Sequence, residues 1–408
     1  MTRVALLTYR GNPRSGGQGV YVRHLSRELV ALGHRVEVFS GPPYPELDPG
    51  VALTTVPGLD LFAEPNPFRT PGIRELRRAA DWVEFAGMRT GGFPEPLAFS
   101  LRVAPILRRR RAEFDLVHDN QGLGYGLLAT GLPTVATVHH PIAVDRELKL
   151  AHTPLHERPS VLKWYRFVTM QHRVARRIPL LLTVSGASRD EIATRMAVPR
   201  DRIRVVPISA DTRVFRPGST PRVPGRIVTV ASADEPLKGL AQLLDAMPAI
   251  RAECSAKLIV VGKPKEATAR RLADLGDVVE FRSGLSDMGL AELLSSAEIV
   301  CVPSVFEGFS LPAAEAMACG TPVVATSGGA LPEVVGDAAE LVPPANPAAL
   351  AVALCNLLRD PARRAELSEA GIRRTAEFSW RRTAAATVHQ YHHLLGTEAG
   401  TPVPSGER

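Results

Sequence analysis

The sequence predicts an α/β protein made of two doubly wound, Rossmann-like domains that face a central cleft. The chain opens with a strand, a glycine-rich loop, a helix and a second strand, the order that begins a nucleotide-binding half. Strands and helices again alternate from residue 226 to residue 330. Between the two halves, residues 217–225 are rich in Pro, Gly, Ser and Thr and are predicted to be a linker. Ligands of paired α/β domains bind between them.

Composition describes a soluble globular protein of two or three domains, with 408 residues, 45% hydrophobic and 22% charged. No run of 18 apolar residues occurs, and the first ten residues have the pattern of a strand rather than of a signal peptide. The four cysteines follow no ligand spacing. We therefore expect a cytoplasmic protein with reduced core thiols.

Basic residues form two clusters in a chain whose net charge is +7. One is the run 108–111, and the other comprises Arg158, Lys163, Arg166, Arg173, Arg176 and Arg177. Solvated helix faces are one interpretation. The other is a footprint for an anionic acceptor or for anionic lipid, with peripheral contact at the inner face of the membrane. No nucleic-acid motif or aromatic interleaving accompanies the charge, so nucleic acid is not expected as a partner.

The first elements of the chain are a strand at 4–8, a loop at 10–19, a helix that ends at Gly33 and a strand at 36–40. Gly16 and Gly17 in the loop allow the backbone to approach a phosphate or a sugar closely, and a plain flexible turn is the alternative. The spacing differs from the dinucleotide fingerprint, so a nicotinamide cofactor is not expected.

Residues 42–105 carry little signal beyond a weak strand near 51–56 and helical patches at 73–86 and 96–111. The strand at 133–140 ends in His139, at the carboxyl end where open α/β sheets bind ligands, whereas His140 is interpreted as structural. The next strand covers 180–185, and Ser188 is predicted to cap a helix over 189–196.

The second half begins with a strand at 226–231 and a loop that leads to a helix starting at Lys238. The apolar run 299–302 is predicted to be a buried strand that Pro303 ends. Ser310 is placed to cap the following helix, whose Pro312 lies in the first turn and which stops near Gly320.

This strand–loop–helix unit places Glu307 in the loop after the strand and Glu315 in the second turn of the helix. The amides of Phe309, Ser310 and Leu311 lie between them at the positive end of the helix dipole. Amides suit a phosphate and carboxylates suit sugar hydroxyls, so the unit is predicted to hold a sugar nucleotide. An ordinary βα unit with two solvated carboxylates is the alternative.

The order Pro-Ser, Glu307-Gly-Phe-Ser-Leu and Glu315-Ala-Met-Ala-Cys-Gly-Thr-Pro resembles the signature of the retaining glycosyltransferases of family four, which have the GT-B fold. The Gly-Gly loop, the Ala-Thr-x-His motif that ends in His139 and the pattern Asp211-x-x-x-Phe-x-Pro are also similar to that family. The resemblance implies transfer of a hexose-type sugar from a nucleoside-diphosphate sugar to a hydroxyl of a lipid, a glycan or a small molecule. It also implies retention of configuration without a metal or a cofactor.

The resemblance further implies a role for each matching residue. Lys238 would grip the diphosphate, and the backbone at Gly16 and Gly17 would lie against it. Glu307 would contact the donor sugar near its reacting face, Glu315 would accept hydrogen bonds from the ribose hydroxyls, and His139 would contact the donor sugar.

The chain departs from the family pattern at Ser232, which stands where a phosphate-binding arginine is usual. We hypothesise that Lys263, after a neighbouring strand, supplies the missing charge. No Asp-x-Asp sequence occurs, which argues against a metal that bridges the diphosphate.

The domain limits expected from these patterns are 1–216 for the acceptor-side domain and 226–379 for the donor-side domain. By resemblance, a last helix at about 380–396 crosses back to complete the first domain. Residues 397–408 are expected to form a disordered tail.

Two other functions stay open from the sequence. A sugar-nucleotide epimerase or hydrolase on the same fold would need carboxylates in the first half, for which Asp115, Asp119 and Asp145 are candidates. A weakly catalytic protein that binds nucleotide sugars is the second, suggested by Ser232. The spacing of the two glutamates favours transfer.

Overall fold

The computed structural model describes residues 1–12, 17–63, 65–231, 236–264, 272 and 275–397. Two entirely parallel sheets lie in it, each with helices on both faces, so the predicted fold class is confirmed. Several central strands are almost continuous apolar runs buried on both sides, as is typical of parallel sheets. They include Arg3–Thr8, Leu180–Thr183, Ile299–Val302 and Val323–Thr326. No helix of the described part is long and apolar enough to cross a membrane.

The first sheet has seven strands in the order β3-β2-β1-β4-β5-β6-β7. The sequence order of the strands reverses between the first and fourth strands, where a doubly wound sheet opens a crevice at its carboxyl edge. The strands are β1 (Arg3–Thr8), β2 (Arg35–Ser40), β3 (Ala52–Thr55), β4 (Leu116–Asn120), β5 (Thr134–Thr137), β6 (Leu180–Thr183) and β7 (Ile203–Val205).

The helices of the first half are α1 (Gly17–Ala31), α2 (Ala79–Arg89), α3 (Glu95–Arg109), α4 (Ala143–Ala151), α5 (Arg158–Trp164), α6 (Phe167–Ala175) and α7 (Gly186–Met196). The predicted cap of α7 is wrong, because this helix begins three residues earlier than expected. Ser185 has the extended backbone of a capping residue, and its side chain accepts the amide of Ser188 at 3.0 Å.

The second sheet has six strands in the order β10-β9-β8-β11-β12-β13, with the reversal between β8 and β11. Its strands are β8 (Arg226–Val230), β9 (Lys257–Val261), β10 (Val279–Arg282), β11 (Ile299–Val302), β12 (Val323–Thr326) and β13 (Ala339–Val342). The reversal therefore lies between the loop that contains Lys238 and the loop that contains Glu307.

The described helices of this half are α8 (Leu240–Glu253), α9 (Asp287–Ser295), α10 (Leu311–Ala318), α11 (Leu331–Val335), α12 (Pro347–Arg359), α13 (Pro361–Thr375) and α14 (Trp380–Leu395). Lys238 ends a short 3₁₀ turn, Pro236–Lys238, and α8 starts two residues later than predicted. Gly239 has a left-handed backbone with φ +66°, which interrupts the helix at that point.

Helix α14 lies against the first half of the chain and packs on α1. The indole ring of Trp380 stacks on the imidazole of His24 with a centroid distance of 4.9 Å. The fully buried Tyr391 places its hydroxyl 2.6 Å from Nδ1 of His118 on β4. The last described helix is thus part of the core around the first sheet.

Candidate active site

The loops after β5 and β11 bring the two halves of the chain into contact. A Cβ atom at Gly308 would lie 2.4 Å from the carbonyl oxygen of His139, so only glycine fits there. The hydroxyl of Ser188, which does not cap its helix, lies 2.9 Å from the carbonyl oxygen of His139 and 3.3 Å from that of Gly308. Residues predicted separately for the two domains therefore meet at one place.

An ion pair between Lys238 and Glu307 lies at the strand-order reversal of the second sheet. The ammonium Nζ is 2.9 Å from Oε1 and 3.2 Å from Oε2, and the hydroxyl of Ser304 donates to Oε1 at 2.7 Å. Glu307 is only 7% exposed. A carboxylate this buried requires a counter-charge and hydrogen bonds, and it has both here.

Backbone contacts hold these two loops together. The amide of Val305 donates to the carbonyl oxygen of Leu237 at 2.8 Å. A Cβ atom at Gly239 would lie 1.8 Å from the carbonyl oxygen of Pro303, so only glycine fits directly after Lys238. The side chain of Lys238 is thereby fixed over the Glu307 loop.

The start of α10 is an open set of amides. Ser310 occupies the capping position, but the prediction that it caps the helix is wrong, because its backbone is left-handed (φ +86°, ψ +78°) instead of extended. Its buried hydroxyl has no hydrogen-bond partner. Within the described residues, no hydrogen bond uses the amides of Phe309, Ser310 or Leu311. The positive end of the helix is free for an anion.

Glu315 lies in the second turn of α10 and is partly buried. Burial, with a smaller contribution from the negative charge of Asp287, raises the pKa of Glu315 to about 8. No hydrogen bond in the described part of the chain reaches its carboxyl group. The group is therefore protonated at neutral pH in this state, and hydroxyl donors would favour its ionised form.

On the opposite side, His139 is held in one tautomer. The amide nitrogen of Asn120 donates to the carbonyl oxygen of Gln18 at 3.2 Å, which turns its Oδ1 toward the imidazole. Nε2 of His139, 2.8 Å from that oxygen, is therefore the protonated nitrogen. Burial and the neighbouring His140 lower the pKa of His139 to about 3, so the ring is neutral. Tyr21 packs edge-on against it at 4.7 Å.

His140 is also at the site, although its sequence context suggested a structural residue. Its Nε2 lies 2.8 Å from Oδ2 of Asp145, and its ring centroid is 6.5 Å from that of Phe306. Burial lowers the pKa of His140, but the Asp145 carboxylate outweighs it and raises the pKa overall. The sequence feature that could have indicated this pairing is the spacing of five residues between His140 and Asp145.

The other predicted donor-binding residues fall into two groups. Gly16 and Ser232 lie outside the described residues. Gly17 starts α1, and no atom lies within 4 Å of the position of an added Cβ, so the space in front of it is open. Phe309 is 5% exposed and packs edge-on against Phe378 at 5.6 Å, so its amide faces the site while its ring belongs to the core.

Lys263 is exposed and follows β9 at the same edge of the sheet as the loop after β8. Strands β8 and β9 are neighbours, and Val230 at the end of β8 pairs with Val261 at the end of β9. The chain therefore leaves the sheet at neighbouring points before Lys263 and before the loop after β8. The structure therefore places this lysine on the correct edge for the hypothesis that it compensates for Ser232.

The carboxylates that an epimerase or hydrolase would need are differently placed. Asp115 pairs with Arg3 at 2.6 Å, at the amino edge of the first sheet, away from the cleft. Asp119 is buried and accepts the amide of Leu123 at 2.8 Å. Asp145 pairs with His140, next to His139 at the site. Across the described residues, no three potential metal ligands converge.

Glu333 makes a contact between the halves that no local pattern signals. From α11 its carboxylate accepts the amides of Gly186 at 2.8 Å and Ala187 at 2.6 Å, at the start of α7. This is the favourable end of the α7 dipole for a negative charge. The amide of Ala330, which precedes α11, donates to the carbonyl oxygen of Glu307 at 2.9 Å.

Two family models match this chain. The one described as Glycosyltransferase Family 4 matches residues 15–214, and the one described as Glycosyl transferases group 1 matches residues 224–360. Over 97% of its length the chain is 53% identical to the MMP α-(1→4)-mannosyltransferase of Mycolicibacterium hassiacum, 99% of which is covered. It is 31% identical over 95% of its length to the D-inositol 3-phosphate glycosyltransferase of Frankia alni, with 97% of that protein covered.

Among solved structures, the fold is similar to that of sucrose-phosphate synthase from Thermosynechococcus elongatus. The TM-score is 0.73 at 24% identity, and the likeness covers 97% of this chain and all of that one. At this identity the likeness shows the fold alone: two Rossmann-like domains around a cleft.

Proposed function

The chain belongs to glycosyltransferase family 4 and is a retaining glycosyltransferase, and from that premise we propose that it transfers a mannosyl residue from a nucleoside-diphosphate sugar to a glycan hydroxyl. The sugar and an α-(1→4) linkage come from the name of the relative at 53% identity. Retention with an α-linked donor gives an α-linked product, in agreement with that name.

One observation carries the proposal: Lys238 and Glu307 are in contact in the loops before α8 and α10, and the neighbouring Gly308 packs against the backbone of His139. Lys238 and the amides of residues 309–311 together make a positive site for the departing diphosphate. Lys263 adds charge at the same edge. Metal ions and cofactors have no part in this proposal.

Electrostatic stabilisation of the leaving group is the main contribution of these residues. The bond between sugar C1 and the phosphate oxygen breaks, the bond from the acceptor oxygen to C1 forms on the same face, and the acceptor proton passes to the departing phosphate oxygen. Glu307 lies beside the reacting sugar, where its negative charge stabilises the oxocarbenium-like transition state. Neutral His139 carries no charge, and because its Nε2 donates to Asn120, its Nδ1 is the nitrogen that can accept a hydrogen bond from a hydroxyl of the donor sugar.

The test is a transfer assay with purified protein. Mannose and glucose, each carried on every common nucleoside diphosphate, are offered with α-(1→4)-linked mannosides, inositol 3-phosphate and a lipid acceptor. We expect transfer from one mannose donor to the mannoside, with an α-(1→4) linkage by NMR. Transfer only to inositol 3-phosphate or only to the lipid would overturn the proposed acceptor. Transfer only from glucose donors would overturn the proposed sugar.

Cytoplasmic location with peripheral contact at the inner membrane face is a further part of the proposal. Lys163 on α5, Arg166 just before α6 and Arg173 on α6 are exposed, and Leu155 and Leu162 in the same stretch of chain are 75% and 50% exposed. Basic side chains next to exposed leucines suit an anionic bilayer surface. Co-sedimentation with phosphatidylglycerol vesicles that is lost at 0.5 M salt would support this contact (salt at about this level screens surface charge), and no co-sedimentation at low salt would refute it.

A further inference from the structure

The geometry points to a second sugar-binding surface on the acceptor side, formed by Tyr9, Phe62, Phe93 and Trp164, which takes a ring of an oligosaccharide acceptor. We call these four side chains the aromatic platform. The inference rests on the proposed function and adds the substrate class to it: a glycan of several rings, of which one reacts and another stacks here.

The platform is a set of rings in mutual contact at the carboxyl side of the first sheet. Centroid distances are 5.4 Å between Phe62 and Phe93, 5.3 Å between Phe93 and Trp164, and 5.6 Å between Phe62 and Trp164. Tyr9 lies 6.3 Å from Phe93. The four rings come from four separate segments, and all are partly exposed in a chain with only 5% aromatic residues.

Packing on the core explains only part of this arrangement. Phe62 rests on a small buried cluster of Leu59, Leu61 and Met88, and Tyr9 packs on the main cluster of the first domain. Two more rings lie edge-on against the platform, Phe68 at 5.4 Å from Phe62 and Phe167 at 5.4 Å from Phe93. Part of each platform side chain is still exposed. Partly exposed aromatic rings that lie together next to a substrate cleft are typical of a binding surface.

A charged pair at the edge of the platform favours a sugar as its occupant. The guanidinium carbon of Arg10 lies 5.4 Å from the ring centroid of Phe93 and 5.9 Å from that of Phe62, and Nη2 donates to Oε1 of Glu95 at 2.8 Å. A pyranose has C–H groups that suit the negative face of an aromatic ring and hydroxyls that suit a carboxylate and a guanidinium. Because Glu95 neutralises Arg10, the pair is poorly suited to an anionic lipid.

The platform is connected to the reacting end of the cleft. Nε2 of His139 lies 2.8 Å from Oδ1 of Asn120, whose amide nitrogen donates to the carbonyl oxygen of Gln18 at 3.2 Å. The amide nitrogen of Gln18 in turn lies 3.5 Å from the hydroxyl of Tyr9. This chain of hydrogen bonds links the proposed donor-sugar contact at His139 to Tyr9 at the edge of the platform, and we place the later rings of the glycan there.

The test compares Trp164→Ala with Trp82→Ala, which removes an equally large side chain, 50% exposed on α2 outside the platform. Initial rates are measured with α-(1→4)-linked mannotetraose and with methyl α-mannoside. We expect Trp164→Ala to raise the KM for the tetrasaccharide about tenfold, the size of one lost ring stack. The KM for the single-ring acceptor should change much less, and Trp82→Ala should leave both values as in the parent protein.

A binding measurement covers the case in which Trp164→Ala folds poorly. The chain has three tryptophans, and Trp380 is buried, so in Trp82→Phe the exposed indole fluorescence comes from Trp164. Mannotetraose alone should shift or quench that emission to saturation, and methyl α-mannoside at the same concentration should not.

Three results would overturn the inference. They are an equal rise in KM for both acceptors, no fluorescence response to the tetrasaccharide, and loss of phosphatidylglycerol vesicle binding in Trp164→Ala with the tetrasaccharide KM unchanged. In each case transfer to methyl α-mannoside by the parent protein would persist, so the proposed function would stand. Absence of transfer to every acceptor would instead count against the proposed function itself.

Discussion

The two sides of the cleft are built from the chain in different ways. On the donor side, Lys238, Glu307, Glu315 and the amides between the two glutamates belong to two loops and one short helix. On the proposed acceptor side, the groups come from the loops after β1, β3, β4 and β5, from the segment before α3 and from α5. The donor side is thus a compact local unit, and the acceptor side is an assembly of distant segments.

Under the proposed function, this difference matches the demands of the two substrates. A diphosphate presents the same charge in every nucleotide sugar, so we propose that one lysine and one helix terminus suffice for it. An acceptor is distinguished by its shape and hydroxyl pattern, which need several side chains from different directions. Mutations on the donor side should therefore change the rate for every acceptor, whereas those on the acceptor side should change the choice among acceptors.

The largest effect is expected from Lys238→Ala, which removes the cation from the diphosphate site. We expect kcat/KM to fall by about 10²–10³, by the same factor for every acceptor. Initial rates with two acceptors measure it. A double-mutant cycle with Glu307→Gln should show strong non-additivity, because the two side chains form one ion pair. A loss that differs between acceptors would contradict the division of roles between the two sides.

Gly308→Ala acts at the contact between the two sides. The new Cβ would lie 2.4 Å from the carbonyl oxygen of His139, so the loops must separate. We expect kcat to fall by about 10–100-fold because the reacting groups lose their mutual position. Gly284→Ala is the control for the backbone effect of replacing a glycine, because no atom lies within 4 Å of an added Cβ there. The φ of +74° at Gly284 makes this control a stringent one, since alanine is strained in that conformation. Unchanged kcat in Gly308→Ala would mean that this contact is absent in the working enzyme.

Glu315 should make donor binding depend on pH. In the empty site its pKa is about 8, and ribose hydroxyls stabilise only the ionised carboxylate, so binding expels a proton. Affinity for the nucleoside diphosphate should rise up to about tenfold per unit from pH 6 toward pH 8 and then level off. Calorimetry in two buffers of different ionisation enthalpy measures the proton release.

Glu315→Gln is the control, because it keeps the shape of the side chain and cannot ionise. Any pH dependence that remains in this variant belongs to the phosphate and to other groups. The same raised pKa costs the folded protein stability as pH rises from the usual carboxyl value of 4.5 toward 8, since only the unfolded state then releases the proton freely. Thermal unfolding should show this loss in the parent protein and a smaller one in Glu315→Gln.

Lys263→Ala is expected to have the smallest effect. If this exposed lysine supplies part of the charge for the diphosphate, donor KM should rise about three- to tenfold, and more at low salt than at high salt. Lys257→Ala, which removes a lysine from the amino end of the same strand, is the matched control. Equal effects of the two variants would show that Lys263 acts only through the net charge of the domain.

The sequence was informative where the site is local. The spacing of Glu307 and Glu315 around a helix start and the turn at Lys238 are set within a few residues, so periodicity and turn chemistry were enough to predict the elements that hold them. Both predicted serine caps were wrong, because a cap depends on the backbone angles of one residue. Ser310 is left-handed, and α7 begins at Gly186.

The contacts between the halves could not be predicted in this way. Ser188 lies near the carbonyl of Gly308, 120 residues away, and Glu333 meets the amide of Gly186 from 147 residues away. Such pairs depend on how the two sheets face each other. The periodicity of a single segment carries no information about that arrangement. The aromatic platform could not be predicted for the same reason, since its rings come together only in the folded domain.

The position of α14 also has a consequence for how the protein is made. Tyr391 fills the core of the first domain and its hydroxyl meets His118, so that domain lacks a buried part until residue 391 has been synthesised. The described strands of the second domain are complete by residue 342. The domain whose strands leave the ribosome first is therefore the last to be completed, and its final packing step brings α14 onto α1.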